Sequence, residues 1–509
     1  MREFAPARLW DLFDGDREWL NIAHECIERH TGDAGRPAVW IARADGDDLC
    51  LSFAAIAESS ARLAHWLAAR GIVPGDRVAI MLEPSPAFYA ALFGALKLGA
   101  IAVPLFTLFG PDGVALRVRD CAPRLLLTDA AKADELAGAA GVPVVVADAD
   151  FLAALDRFPV TFAPRTRAED LAIFQYTSGT TRELPEAVRH THRAIVTLMV
   201  AALYGTGVRP GDRFFCPSSP AWGHGLWHGT LAPLALGVRT GTWAGRFDAA
   251  GLLHALAASA TTNLSAAATH YRMMRAAAGG SDPGVRLAKM SFTGEPIDGE
   301  SLAFAECCFG TRLCGMYGTT ELGVVLANYP GAEDFAAKPG ALGKPVPGVR
   351  VAVHRPDGTD AAHGEVGEIV VRRRDAWLKT RDRGHLDAES FFHHDGRADD
   401  VIISAGWTIG AAEVEDMLLK HSAVRDVAVI GVPDATRGQV VKAFIVAARA
   451  PDAALATELQ DFVRARLSQH EYPRLIEFVD DLPRTPAGKV NRRALREREA
   501  AIRTGDRRS

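Results

Sequence analysis

The sequence predicts an α/β protein: a large N-terminal domain of α/β layers with a β-rich subdomain, then a small α+β C-terminal domain. Three observations predict it. From residue 51 to about residue 320, short apolar runs of strand length alternate with segments of helical periodicity, the pattern of layered sheets with parallel strands. After about residue 335 prolines and glycines (Pro339, Gly340, Gly343, Pro345, Pro347, Gly348) punctuate short strands, which marks the β-rich part. Beyond the charged, turn-like Gly396-Arg397-Ala398-Asp399-Asp400 a separate helix–strand–strand–helix–strand unit begins. The domains are therefore drawn at 1–398 and 399–509.

Size and composition agree with this division. A chain of 509 residues, 48% hydrophobic, has ample core and is too long for one domain. The net charge of -5 offers no basic footprint for nucleic acid or an anionic membrane. Seven cysteines are scattered and odd in number, with no C-x-x-C pair. Neither a zinc site nor a disulfide framework is indicated; the expectation is buried, reduced thiols in a cytoplasmic protein. Met1 to Pro6 carries an acidic residue and leads into no apolar stretch, so it does not read as a signal peptide. The apolar run Phe88 to Phe106 is interrupted by Lys97 and Pro104 and reads as a helix entering a buried strand, not a membrane span.

Taken in order, Arg17 to His30 reads as an exposed helix. Ala54 to Arg70 has helical spacing and Gly71 as a C-cap. Asp76 to Leu82 is a strand, Ser85 to Leu98 a helix and Ile101 to Val103 a strand. Arg124 to Thr128 and Val142 to Ala147 are further strands around a helix at Ala130 to Ala139. Leu171 to Phe174 is a strand that enters a hydroxyl-rich loop. Thr191 to Gly205 is helical, Asp212 to Cys216 a strand and Phe247 to Ala258 a helix. The strands Lys289 to Thr293 and Arg312 to Tyr317 end at Gly294-Glu295-Pro296 and Gly318-Thr319-Thr320-Glu321. Open α/β sheets bind ligands at such carboxyl ends. In the last unit, Ala412 to Lys420 and Leu455 to Gln469 are helices, and Val424 to Gly431, Gln439 to Ala447 and Ile476 to Val479 are strands. The charged end, Leu495 to Ser509, is expected to fray.

The loop Tyr176-Thr177-Ser178-Gly179-Thr180-Thr181 can offer a phosphate several hydroxyls and backbone N–H groups, and Gly179 permits close approach. It is followed, in one order, by Gly294-Glu295-Pro296, Tyr317-Gly318-Thr319-Thr320-Glu321, Thr380-Arg381-Asp382, Gly396-Arg397-Ala398-Asp399-Asp400 and Pro483-Arg484-Thr485-Pro486-Ala487-Gly488-Lys489. Together these resemble the adenylate-forming superfamily of acyl-CoA synthetases, firefly luciferase and peptide-synthetase adenylation domains, over nearly the whole chain. Arg437 to Val446 and Tyr472-Pro473-Arg474 look most like the medium-chain and aryl acyl-CoA synthetases, close to acetyl-CoA synthetase.

The resemblance implies a two-step reaction. A carboxylate attacks the α-phosphate of ATP to give an acyl adenylate and pyrophosphate, and CoA then takes the acyl group and releases AMP. It also implies roles. Thr177, Ser178, Gly179, Thr180 and Thr181 would hold the β- and γ-phosphates. Thr320 would contact the α-phosphate and Glu321 would ligate Mg²⁺, a hard cation suited to oxygen ligands. Gly294, Glu295 and Pro296 would lie along adenine, with Tyr317 on its face. Asp382, aided by Arg397, would bind the ribose. Lys489 would enter with the small domain during adenylation, as a point charge on a flexible stem. That domain would be mobile about a hinge at Asp399, and Ala405-Gly406-Trp407 would face the pantetheine tunnel in the thioester-forming state. Trp222, Gly223, His224, Thr293 and Gly318 would line the acyl pocket, where Gly318 stands in place of a pocket-closing indole and leaves room for a longer chain or a ring. His190, His192, His393 and His394, with no metal partners at useful spacing, read as surface or supporting residues. The partners implied are a small carboxylic acid, ATP and CoA. The alternatives are an enzyme that loads an acyl carrier protein, and a nucleotide-binding homologue with weakened catalysis.

Four positions depart from the pattern. Arg182 and Glu186 stand where relatives carry Gly and Lys, with one extra residue between Thr181 and Pro185. Arg381 stands where Gly is usual, and Thr408 replaces an Arg found in many relatives. Glu186 beside a pyrophosphate is repulsive. Arg182 would offset it or pair with it, in which case Arg182→Gly weakens ATP binding.

Overall fold

A computed structural model of the chain describes residues 4–136, 138, 140–176, 186–280, 282–294, 297, 299–319, 322–397, 401–483 and 490–505. Two large sheets form its body. In the six-stranded sheet the order is Val144–Val146, Leu125–Thr128, Arg77–Met81, Ile101–Pro104, Leu171–Tyr176, Ala187–Thr191. The first five run parallel, and the edge strand Ala187–Thr191 runs antiparallel to its neighbour. The nine-stranded sheet has Leu313–Thr319, Lys289–Thr293, Asn263–Ala267, Arg213–Phe215, Arg239–Ala244 and Pro37–Arg43 as consecutive parallel strands, with antiparallel strands at both edges. A four-stranded antiparallel sheet, Arg350–His354, Gly367–Arg373, Ala376–Leu386 and Phe392–Arg397, is the β-rich part.

The alternation read from the sequence holds where strands are apolar. The helix Pro86–Leu98 starts at Ser85, whose hydroxyl accepts from Phe88 N–H, and ends at Gly99 with φ 81°. It packs on the helix Phe53–Ala69 through Gly94, where a Cβ would lie 2.9 Å from the Leu63 side chain and the Ser60 carbonyl. Lys97 is buried here; it donates to the Ala57 carbonyl at 2.7 Å and pairs with Glu28. Among the described residues no helix is long and apolar enough to cross a membrane.

Several expectations are corrected. Arg17 to His30 is not one exposed helix: Asn21 caps a short helix, Ile22–Cys26, whose Ile22, Ala23 and Cys26 are fully buried, and the chain turns at Ile27. The strands Pro37–Arg43 and Leu49–Ser52 lie largely before residue 51, where the strand–helix alternation read from the sequence begins. Gly396 and Arg397 continue a strand instead of starting a turn. The end of the chain does not fray at Leu495: a helix runs over Arg492–Gly505, held by Arg492 Nη2 to Glu415 Oε2 at 2.5 Å, by Glu499 to Lys442 Nζ at 2.6 Å, and by the buried Leu495. Its composition is that of a solvated tail, and specific ion pairs override it.

The C-terminal unit is α+β as expected. The hairpin Val401–Ser404 with Trp407–Gly410 precedes a three-stranded sheet of Val424–Asp434, Gly438–Ala447 and Leu475–Phe478. Side chains alternate across a sheet. Val427, Val429, Val441, Ala443 and Ile445 pack with Ile402 and Ile409 of the hairpin and with the helices Ala411–Leu419 and Ala453–Arg466. Ala428, Ile430, Val432, Val440 and Phe444, on the other face, pack with Leu482, Val490 and Leu495.

Candidate functional site

A cavity of about 1050 Å³ gathers residues from all parts of the body. Gln175 and His190 come from the six-stranded sheet, Thr293, Gly294, Tyr317 and Gly318 from carboxyl ends of the nine-stranded sheet, Asp382 and His394 from the β-rich sheet, and Gly406 from the C-terminal hairpin. Trp222, Gly223 and His224 complete the wall. Parallel strands thus deliver their loops to one side, as read from the sequence.

At one end, Tyr317 Oη donates to Asp382 Oδ2 at 2.6 Å. Asp382 is 4% exposed, and His394 Nε2 stands 3.6 Å from its Oδ1. The backbone N–H of Asp382 donates to Thr380 Oγ1 at 3.1 Å, and that hydroxyl donates to the Ile369 carbonyl at 2.7 Å. Tyr317 therefore orients the carboxylate as well as offering a ring, a role the sequence reading did not give it. His394, taken as a surface or supporting residue, supports Asp382 from within the cavity wall. Arg381 has φ 64°, the left-handed conformation that suits glycine, which accounts for the glycine usual at this place.

The residues that bracket the hydroxyl-rich loop are pinned together. Tyr176 and Ala187 pair across the antiparallel strands, Tyr176 Oη lies 2.6 Å from Asp120 Oδ2, and Ala187 N–H donates to the same oxygen at 3.2 Å. Burial, with Cys121 and Asp120 alongside, holds the Tyr176 phenol well above its usual range, so it remains a donor. Thr177, Ser178, Gly179, Thr180 and Thr181 themselves lie outside the described residues, as do Glu295, Pro296, Thr320, Glu321, Asp399 and Lys489. Arg397 is described as strand backbone only. The ends of the Lys489 segment are tied: Asn491 N–H donates to the Pro483 carbonyl at 2.7 Å.

The residues read from the sequence as an acyl pocket line one cavity, with two changes of meaning. His224 has both nitrogens engaged, Nδ1 with Ser218 Oγ at 2.9 Å and Nε2 with Ser265 Oγ at 2.8 Å, and Ser291 Oγ continues the chain to Ser265 at 2.8 Å. Burial drives its pKa well below the usual range, so it is a neutral structural node. Gly318 is demanded by the backbone: a Cβ there would lie 2.0 Å from the Gly323 carbonyl oxygen. Its lack of a side chain thus reflects close strand approach at the register shift beside Tyr317, and not only pocket room.

Sequence reasoning did not place Gln175, His190 or His228 in the cavity wall. Gln175 is buried, with its carbonyl accepting from Trp227 Nε1 at 2.8 Å. His190 packs on Trp227 with ring centroids 4.7 Å apart, and His228 lies 6.1 Å from the His224 ring. His192, read as a surface or supporting residue, is fully buried, and its Nδ1 accepts from Ile22 N–H at 3.1 Å. Trp227 and His228 stand on a π-helical stretch, His224–Leu231, a rare form that recurs at functional sites. No apolar periodicity marks that stretch in the sequence.

The hairpin tip meets the cavity directly. Gly406 has φ 79°, and a Cβ on it would lie 3.3 Å from Ala267 Cβ; a Cβ on Gly294 would lie 3.4 Å from Gly406 Cα. Trp407 packs between Phe106 (centroids 4.2 Å apart) and His470 (4.1 Å).

Comparison with known proteins gives the context. The family profile described as "AMP-binding enzyme" matches residues 28–377, and "AMP-binding enzyme C-terminal domain" matches residues 413–489. The acetyl-coenzyme A synthetase of Bacillus subtilis (strain 168) is 29% identical, covering 96% of this chain and 92% of that protein. The 3-hydroxybenzoate–CoA ligase of Aromatoleum sp. (strain CIB) is 30% identical, covering 86% of this chain and 89% of the relative. The crystal structure of a Brucella canis acyl-CoA synthetase superposes with TM-score 0.74 at 32% identity, over 99% of this chain and 98% of that one.

Proposed function

Since the chain belongs to the AMP-binding enzyme family, we propose that it works as an ATP-dependent, AMP-forming acyl-CoA synthetase, an acid–thiol ligase, for a medium-chain or aryl carboxylic acid. The observation that carries this reading is the convergence of Gly294, Tyr317, Asp382, Trp222 and Gly406 on one cavity from five separated parts of the sequence. A carboxylate is a poor electrophile until its oxygen is turned into a leaving group, so the site must hold an acid and a nucleotide together.

The residues divide the work. Asp382, oriented by Tyr317, accepts from the ribose hydroxyls. Gly294 lies beside adenine and Arg397 assists Asp382. Thr177 to Thr181 hold the departing pyrophosphate and Thr320 the α-phosphate; Glu321 would hold Mg²⁺, which would supply positive charge beside the phosphates. Lys489 binds the oxygens on which charge develops during adenylation. Two faces of the small sheet support a domain rotation about Asp399. Gly406 and Trp407 belong to the hairpin on one face, while Leu482 and Val490, which flank the Lys489 segment, are rooted on the other. With the hairpin against Gly294, the arrangement fits the thioester-forming state.

The test is a screen of C2 to C12 fatty acids and substituted benzoates with ATP and free CoA, scored by acid-dependent AMP and acyl-CoA. AMP formation with at least one acid supports the reading. ADP as the nucleotide product, or no nucleotide turnover with any acid, sinks it. Acid-dependent ATP–pyrophosphate exchange without acyl-CoA points instead to an acyl carrier protein as acceptor.

A further inference from the structure

The wall of the cavity around Trp227 holds polar groups that the adenylation chemistry does not use. The carbonyl of Gln175 accepts from Trp227 Nε1, while its amide nitrogen has no partner among the described residues and faces Gly223, where a Cβ would lie 3.0 Å away. The imidazoles of His190 and His228 line the same cavity and make no hydrogen bond among the described residues; Nε2 of the first and Nδ1 of the second are buried and unpartnered. Unsatisfied buried polar groups are uncommon, and each calls for a water, an ion or a ligand. His224 beside them, by contrast, has both ring nitrogens engaged.

The character of these groups narrows the ligand. Burial lowers both imidazoles to about 4, so near neutrality each presents one N–H and one lone pair without charge. The lysine and arginines that line the cavity, Arg373, Lys379 and Arg381, stand on or beside the β-rich sheet, away from this wall. Among the described residues, an anionic substituent would therefore have no fixed cation here. A hydrocarbon tail would displace water from three hydrogen-bonding groups and satisfy none of them.

We propose that the acyl end of the cavity selects a carboxylic acid carrying an uncharged hydroxyl substituent, read by Gln175, His190 and His228. This rests on the acyl-CoA synthetase reading and names the substrate class of that same site. A hydroxyl both donates and accepts, which matches an amide N–H beside two neutral imidazoles. A site built for such a group rejects the analogue that lacks it, because the protein groups are then left desolvated.

The experiment compares kcat/KM for AMP release on matched acids: hexanoate with 6-hydroxyhexanoate, and benzoate with 3- and 4-hydroxybenzoate. The expected result is a preference of about 10²-fold for the hydroxylated member of at least one pair. His190→Phe and His228→Phe, each made separately, are expected to move that ratio toward unity by at least about tenfold, by losing the hydroxy acid and gaining the plain one. Preference for the unsubstituted acid in every pair overturns the proposal, as does a ratio that neither variant alters. Turnover of plain acids alone leaves the ligase reading standing while this one falls. No AMP from any acid removes both.

Discussion

Asp382 shows how much one side chain depends on its neighbours. It is buried, and its carboxylate is oriented by the Tyr317 hydroxyl at 2.6 Å. Tyr317→Phe removes a donor to a charged acceptor and is expected to raise KM for ATP about tenfold, with a smaller change for the acid. Initial-rate kinetics with each substrate varied checks this; equal effects on both contradict the assignment. Arg381, next door, holds φ 64° without being glycine. Arg381→Gly is expected to relieve a left-handed penalty of about 1–2 kcal/mol, offset by the added freedom of the unfolded chain and the loss of the arginine's own contacts, so that Tm moves by only a few degrees. Asp382 and Tyr317 were legible because their motifs carry them. His190 and His228 were not: their placement depends on the pairing of Ala187–Thr191 with Leu171–Tyr176 and on a π-helical turn, neither of which has a sequence period.

Legibility also divides the elements. The apolar strands Arg77–Met81, Ile101–Pro104 and Lys289–Thr293 follow from their composition. Arg239–Ala244 and Asn263–Ala267 do not, although both are central. Their polar side chains find hydrogen bonds with tertiary partners: Thr240 Oγ1 donates to the Gly229 carbonyl at 2.5 Å, and Asn263 Nδ2 to the Thr206 carbonyl at 3.0 Å. Gly241 admits the Phe215 ring, which a Cβ would meet at 2.1 Å. The hairpin Val401–Gly410 turns through Ala405 (φ 52°) and Gly406 (φ 79°), the paired left-handed residues of a tight turn whose twist suits hairpins. A side chain at Gly406 would strain that turn and crowd Ala267. Gly406→Leu is expected to slow thioester formation by about 10²-fold or more while acid-dependent ATP–pyrophosphate exchange persists. Equal loss of both half-reactions would count against the hairpin serving the second step alone.

At the scale of the molecule, the C-terminal unit meets the body through a buried charge cluster. Arg117, fully buried on the helix Pro111–Cys121, has Nη1 3.6 Å from Glu413 Oε1 and its guanidinium 3.7 Å over the Phe109 ring. Glu471, 3% exposed, lies close by, and Gly110 N–H donates to the Leu467 carbonyl at 2.8 Å. Burial, then the Glu413 carboxylate, raises the Glu471 carboxyl to about 7. A raised carboxyl favours the docked arrangement in its protonated form. Its contribution is complete below the ordinary glutamate range and is lost as pH rises through about 7. Docking of the unit, followed by energy transfer between labels on the two parts, is expected to weaken from pH 6 to pH 8. Glu471→Gln is expected to flatten that profile.

In the proposed reaction Lys489 serves adenylation of the acid, and the hairpin side of the same unit serves the acyl transfer. The most direct measurement takes Lys489→Ala through the two half-reactions separately. This division of labour predicts that acid-dependent ATP–pyrophosphate exchange falls by about 10²–10³-fold, while CoA thioester formation from supplied acyl adenylate is nearly retained. Equal loss of both steps, or exchange that survives the substitution, would contradict it.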